Sequence, residues 1–74
     1  MPPRTPDAQG YKFVVGERVT IEDDYELDGV ILSKDTQGVI ISRDMSEKWE
    51  MPIYQLKVSN VGHYWPVLEV AFVE

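Results

Sequence analysis

The stretch GVILSKDTQGVIISRD, residues 29–44, contains nearly the same short sequence twice. Each copy begins with a glycine, continues as an aliphatic run rich in β-branched residues, and ends in Ser, a basic residue and Asp. Such runs, bounded by turn residues, are typical of β-strands. If Ser33 faces Gly38 across residues 34–37, the two copies form a β-hairpin. We predict neighbouring antiparallel strands rather than a site used twice, because antiparallel copies would not present equivalent surfaces.

In that hairpin, aliphatic side chains occupy both faces. Leu32 pairs with Val39 on one face, and Ile31 pairs with Ile40 on the other. An antiparallel sheet with one face in water does not need apolar residues on both sides. We therefore expect either a barrel that covers parts of both faces or an apolar contact patch that includes Ile31 and Ile40.

Three further segments alternate apolar and polar residues or carry apolar residues on both faces, as strands do. No segment has apolar residues at helical spacing over three turns. Together with the two copies of the repeat, these segments give five strands. This pattern predicts an all-β fold, a five-stranded antiparallel small barrel or a strongly bent sheet. The three segments are residues 18–22, 54–59 and 67–73.

Composition limits the class of protein. The 74 residues suffice for one small domain, and 43% of them are hydrophobic. We predict a flexible, proline-rich tail over residues 1–10 and a single ordered domain over residues 11–74. The absence of cysteine fits a reducing compartment, and no apolar run approaches the ~20 residues of a membrane span. We expect a cytoplasmic protein that binds neither membranes nor nucleic acid, because the net charge of −6 repels phosphate.

The sequence FVVGERVTI, residues 13–21, resembles the entry strand of SH3-like small β-barrels, where a G-[DE]-x-V-x-V/I pattern starts the first long strand. The resemblance extends over roughly residues 13–73 and implies a five-stranded antiparallel barrel. Peptide-binding members carry an Ala-Leu-Tyr-Asp-Tyr-like stretch and paired tryptophans, and nucleic-acid-binding members carry basic loops. This chain has neither feature. The resemblance therefore implies a small accessory or docking subunit.

The densest charged segment is EDDYELDG, residues 22–29, with five acids in its first seven positions. One interpretation is a solvated loop between strands, and another is a docking surface for a basic partner. A third is a calcium site, because Asp24, Glu26 and Asp28 have the spacing that opens an EF-hand loop and Asp35 falls at its twelfth position. The usual ligand at that position is a longer, bidentate Glu.

Aromatic side chains in turn-rich segments are the other candidate contacts, since amphipathic aromatics often anchor interfaces. Trp49 lies between charged neighbours and is expected to be exposed. Trp65 precedes a proline and is expected to cover the open end of the core. We therefore predict a protein-binding site, and no catalytic site, made of Asp23, Asp24, Tyr25, Glu26, Trp49 and Tyr64.

These observations favour a non-catalytic protein–protein interaction module. We expect a small accessory or regulatory subunit, a monomer or homodimer without a cofactor, that docks on a larger protein with a basic surface. Two alternatives stay open. One is an acidic inhibitor from a phage or mobile element that mimics nucleic acid. The other is a calcium-stabilised domain that uses Asp24, Glu26, Asp28 and Asp35.

Overall fold

The computed structural model describes residues 4–74; residues 1–3, the start of the predicted tail, lie outside the described residues. The fold is all-β, as predicted, but it has six strands rather than five. The order β1-β4-β5-β6 forms one antiparallel sheet, the main sheet, and β2-β3 forms a separate hairpin. The described strands do not close into a barrel, so the predicted barrel is not observed. The elements are β1 Arg18–Thr20, β2 Tyr25–Leu27, β3 Val30–Leu32, β4 Gln37–Ser46, β5 Met51–Val58, β6 Gly62–Leu68 and a 3₁₀ turn, Glu69–Ala71.

The predicted hairpin between the two copies of the repeat is wrong. The first copy, as β3, pairs with β2, whereas the second copy, as β4, pairs with β1 and β5. The physical reason lies in the turn between β2 and β3. Asp28 and Gly29 both have positive φ angles, 50° and 80°, which is the backbone of the tightest two-residue hairpins. This local turn joins the first copy to the acidic segment before it, and leaves the second copy to pair elsewhere.

Because the two copies of the repeat pair with different strands, their isoleucines Ile31 and Ile40 are separated. Ile40 is fully buried in the core, while the side chain of Ile31 is 67% exposed. The sequence placed both on one face of a shared hairpin. In the structure they belong to different sheets.

The last strand also differs from its prediction. We expected a strand over residues 67–73, but β6 begins five residues earlier, at Gly62, and ends at Leu68. A 3₁₀ turn follows, and Phe72 then forms a single bridge with Ile21 beside β1. A register shift between β5 and β6 occurs at Tyr54 and Leu56. Such an irregularity interrupts the two-residue alternation on which the prediction depended.

The alternation in the first and fifth strands is confirmed. Val19 and Ile21 are buried beside exposed Arg18, and both Tyr54 and Leu56 are fully buried. The inner face of the main sheet packs against the inner face of the β2–β3 hairpin, so the core lies between two layers. Its buried residues are Phe13, Val19, Ile21, Val30, Leu32, Ile40, Tyr54, Leu56, Val67, Ala71 and Phe72.

Within this core, Tyr54 joins three parts of the chain. Its ring packs edge-on against Phe13 and Phe72, with ring centroids 5.8 and 5.5 Å away. Its hydroxyl donates a 2.6 Å hydrogen bond to Glu69 Oε2, and the Lys12 backbone N–H donates to the same oxygen at 3.0 Å. Burial, reinforced by the Glu69 carboxylate, raises the pKa of Tyr54. The phenol therefore stays neutral and holds the 3₁₀ turn and the N-terminal segment together.

Residues 4–10 make contacts with the domain. Arg4 forms an ion pair with Glu17. Asp7 lies 3.2 Å from the guanidinium of Arg43, which stacks 4.3 Å from the ring centroid of Tyr11. These contacts are partly exposed, and ion pairs near the surface contribute little stability. The flexibility of the segment stays a prediction. Within residues 4–74, no helix has the length and apolar character needed to span a membrane.

Replacing Tyr54 with Phe tests the hydrogen bond to Glu69 through the pH dependence of stability. At pH 7 we expect Y54F to unfold about 10 °C below the wild type, since a hydrogen bond to a charged group contributes about 2 kcal/mol. The raised folded-state pKa makes this contribution complete below about pH 10, the ordinary tyrosine value, and smaller as the pH rises further. Thermal melts should therefore show the two proteins converging in alkaline buffer. A difference that stays constant up to pH 11 would contradict this account.

Gly38 tests the packing of β4 on β5. A Cβ at this buried position would lie 2.8 Å from Leu56 Cγ and 2.8 Å from the Lys57 carbonyl oxygen. We expect G38A to be destabilised by about 2 kcal/mol, because overpacking against backbone cannot be relieved by a rotamer change. Chemical denaturation measures the loss. S33A, at the exposed end of β3, is the control and should change stability by less than about 0.5 kcal/mol.

Candidate functional site

The acidic segment is partly a strand rather than a loop, because its central residues form β2. The side chain of Tyr25 is half-buried, and its hydroxyl donates to the Pro66 carbonyl oxygen at 3.0 Å and accepts from the Leu68 N–H at 3.2 Å. Burial raises the pKa of Tyr25. Tyr25, predicted as a binding residue, therefore anchors the β2–β3 hairpin on β6.

Carboxylates and apolar side chains line two shallow grooves around this anchor. One, of about 400 Å³, is bordered by Asp24, Glu26 and Ile31. The other, of about 340 Å³, is bordered by Asp23, Asp24 and Val70. Ile31 and Val70 are 67% and 68% exposed. We define the acidic–apolar surface as Glu22, Asp23, Asp24, Glu26, Ile31 and Val70.

The four residues of the possible calcium site are not gathered. Asp24 accepts a 2.9 Å hydrogen bond from the Lys34 backbone N–H, and Asp28 lies 3.7 Å from the ammonium of Lys48. In the part of the chain that the structure describes, no group of three or more His, Cys, Asp or Glu side chains could hold a metal ion. The geometry thus gives no support to a calcium loop.

The exposure of the two tryptophans is the reverse of the expectation. Trp49, expected to be exposed, is half-buried in the turn between β4 and β5; its N–H donates to Ser46 Oγ, and the Lys48 ammonium lies 4.6 Å from its ring centroid. Trp65, expected to cover the core, is 43% exposed in the middle of β6. Tyr64 points the other way, pairs with Leu56 and packs partly buried against the core.

The structure therefore brings together only part of the predicted site. Asp23, Asp24 and Glu26 lie on one surface, and Lys48 links the Trp49 turn to the Asp28 end of the same hairpin. Sequence reasoning missed Val70, which an extended strand would have paired with core residues. Its exposure depends on the 3₁₀ turn, for which the local sequence carries no clear signal.

Comparisons with protein families, with curated proteins and with solved structures find no match for this chain. The functional interpretation therefore depends on the chemistry of the chain's own surfaces.

The exposure of the tryptophans can be measured by fluorescence quenching in single-tryptophan variants. We expect the variant that keeps Trp65, W49F, to be quenched by acrylamide more steeply than the variant that keeps Trp49, W65F. The reason is that the Trp65 ring is open to solvent while neighbours shield Trp49. Steeper quenching in W65F would contradict the assigned register of β6.

Proposed function

We propose that this chain is a non-catalytic protein–protein interaction module, a small accessory or regulatory subunit whose acidic–apolar surface docks on a basic protein partner. The observation that carries the proposal is the placement of two strongly exposed aliphatic side chains, Ile31 and Val70, beside uncompensated carboxylates. A partner with lysine or arginine around an apolar centre complements such a surface.

The charges of this surface support docking more than solvation alone. Glu22, Asp23 and Glu26 form no ion pair with any described residue; four of the seven lysines and arginines pair elsewhere. Clustered like charges oppose folding, so a basic partner would relieve a repulsion that the isolated domain retains.

A nucleic-acid mimic is the less favoured candidate. Ile31 and Val70 lie among the carboxylates, and a channel built for phosphates would offer them no apolar contact. The mixed character of the surface matches a protein interface better, where apolar contacts lie within a polar rim.

We propose further that the architecture is of the SH3-like kind. The 3₁₀ turn that precedes the Ile21–Phe72 bridge supports this, together with the hydrogen bond from the Val73 N–H to the Thr20 carbonyl oxygen. These contacts bring the end of the described chain beside its first strand, as a small barrel requires. In such a plan the β2–β3 hairpin is an excursion between β1 and β4, the first two strands of the main sheet, and is available for docking.

Carbodiimide cross-linking in extract from the native source tests the proposed interface. It joins carboxylates to lysines in direct contact, and we expect cross-links from Glu22, Asp23 or Glu26 to one partner. The variant E22Q/E26Q/I31A should lose that partner by at least about tenfold, and capture should weaken with salt.

The matched control is E47Q/E50Q, which neutralises two exposed acids in the turn between β4 and β5. It carries the same change of charge on another surface and should capture the partner as the wild type does. Equal capture by both variants would overturn the proposed surface.

A further inference from the structure

A second charged surface lies on the outer face of the main sheet. Strand register places Arg18 beside Val39, Val39 beside Lys57, and Lys57 beside His63. Paired residues point to the same side of a sheet, so these four side chains form a row across all four strands. Arg18, Lys57 and His63 are exposed. Trp65, two residues after His63 on β6, is 43% exposed. We define the basic face as Arg18, Val39, Lys57, His63 and Trp65.

Positive charge is concentrated here although the chain is acidic. Of the seven lysines and arginines, four form ion pairs within the described residues. Of the other three, Arg18 and Lys57 flank Val39 in the same row. No carboxylate shares that row. The first along β4 on this side of the sheet is Asp44, which pairs with Ile53.

The basic face and the acidic–apolar surface point in opposite directions. Val30 and Leu32 of the β2–β3 hairpin belong to the same buried core as Ile40 and Leu56 of the main sheet. Glu26 and Ile31 pair on the other face of the hairpin, away from the core. Glu26 and Ile31 thus lie on the outside of one layer, and the basic face lies on the outside of the other.

We propose that the occupant of the basic face is the acidic–apolar surface of a second copy of this chain. The inference rests on the proposed function, since it names a partner for the same surface. Both halves of the contact are present: carboxylates opposite Arg18 and Lys57, and Ile31 with Val70 opposite Val39 and Trp65. A symmetric dimer would place acid against acid or base against base. The favoured contact is therefore heterologous, head to tail, and repeats from copy to copy.

The charges also set the strength of this contact. Exposed ion pairs contribute little each and are screened by salt. We expect a dissociation constant of about 0.1–1 mM at low salt, weaker as salt is added. The net charge of −6 opposes a second copy as well as a nucleic acid, but a nucleic acid is the less favoured occupant because it is a longer polyanion that extends beyond the face.

Charge reversal on each surface tests the proposal. The variants are E22K/E26K and R18E/K57E. None of these four side chains forms a hydrogen bond or ion pair within residues 4–74, so the fold should be retained. Sedimentation equilibrium should show wild-type mass rising above 8.5 kDa with concentration, while each variant alone stays at the monomer mass. Mixing the two should give a mixed complex, because the intact basic face of one variant faces the intact acidic–apolar surface of the other, and the two reversed surfaces are complementary as well.

Net charge cannot produce that complex. Two reversals change the charge by four, so the variants carry −2 and −10 and repel each other overall. The control E47K/E50K also carries −2, leaves both surfaces intact and should self-associate like the wild type.

A wild type that stays monomeric at about 1 mM in low salt overturns the inference. Mixed variants that do not associate also overturn it, as do variants that associate alone. Tighter binding of a single-stranded oligonucleotide, lost in R18E/K57E, would assign the basic face to nucleic acid instead. Loss of a captured partner in E22Q/E26Q/I31A, without self-association, would leave the proposed function intact and remove only the second copy.

Discussion

The hydrogen bond from Tyr54 to Glu69 is the contact on which the arrangement of this small domain depends. The carboxylate that accepts it also accepts the Lys12 N–H, and the Tyr54 ring packs edge-on against Phe13 and Phe72, which also pack against each other. A buried phenol needs a partner, and a carboxylate of a short 3₁₀ turn supplies one. The 3₁₀ turn then directs the chain to Ile21, beside β1. This polar contact and the backbone contacts at Ile21 and Thr20 together hold the end of the main sheet beside its beginning.

That return determines which surfaces are free. The core lies between the main sheet and the β2–β3 hairpin, and Tyr25 ties the hairpin to β6 through two hydrogen bonds to backbone. With both inner faces occupied, the outer faces are the ones available to partners. One carries the carboxylates around Ile31, and the other carries Arg18 and Lys57 around Val39. The two layers therefore place these carboxylates and these basic side chains on separate surfaces.

The sequence was sufficient to predict those strands whose structure depends on a local pattern. Alternation of Val19 and Ile21 with polar neighbours, and of Tyr54 and Leu56 with theirs, predicts strands and buried faces correctly. The pairing of the repeat was not predictable in the same way, because both copies are good strands and the pattern does not state their partners. The deciding feature was the Asp28–Gly29 turn, whose positive φ angles close a tighter hairpin than the one proposed. Likewise, Trp65 and Val70 are exposed because β6 is irregular and ends in a 3₁₀ turn, features set by tertiary contacts.

Whether exposed Ile31 reflects function or only strand composition can be argued from register. Burying Val30 and Leu32 forces residue 31 outward, because a shift by one residue would turn both out of the core. Exposure of the position is therefore a consequence of the fold, but the identity of the side chain is not. A polar residue opposite Glu26 would satisfy the same strand and remove an apolar side chain from water. The fold does not specify isoleucine there, and the docking proposed for the acidic–apolar surface gives that side chain a role.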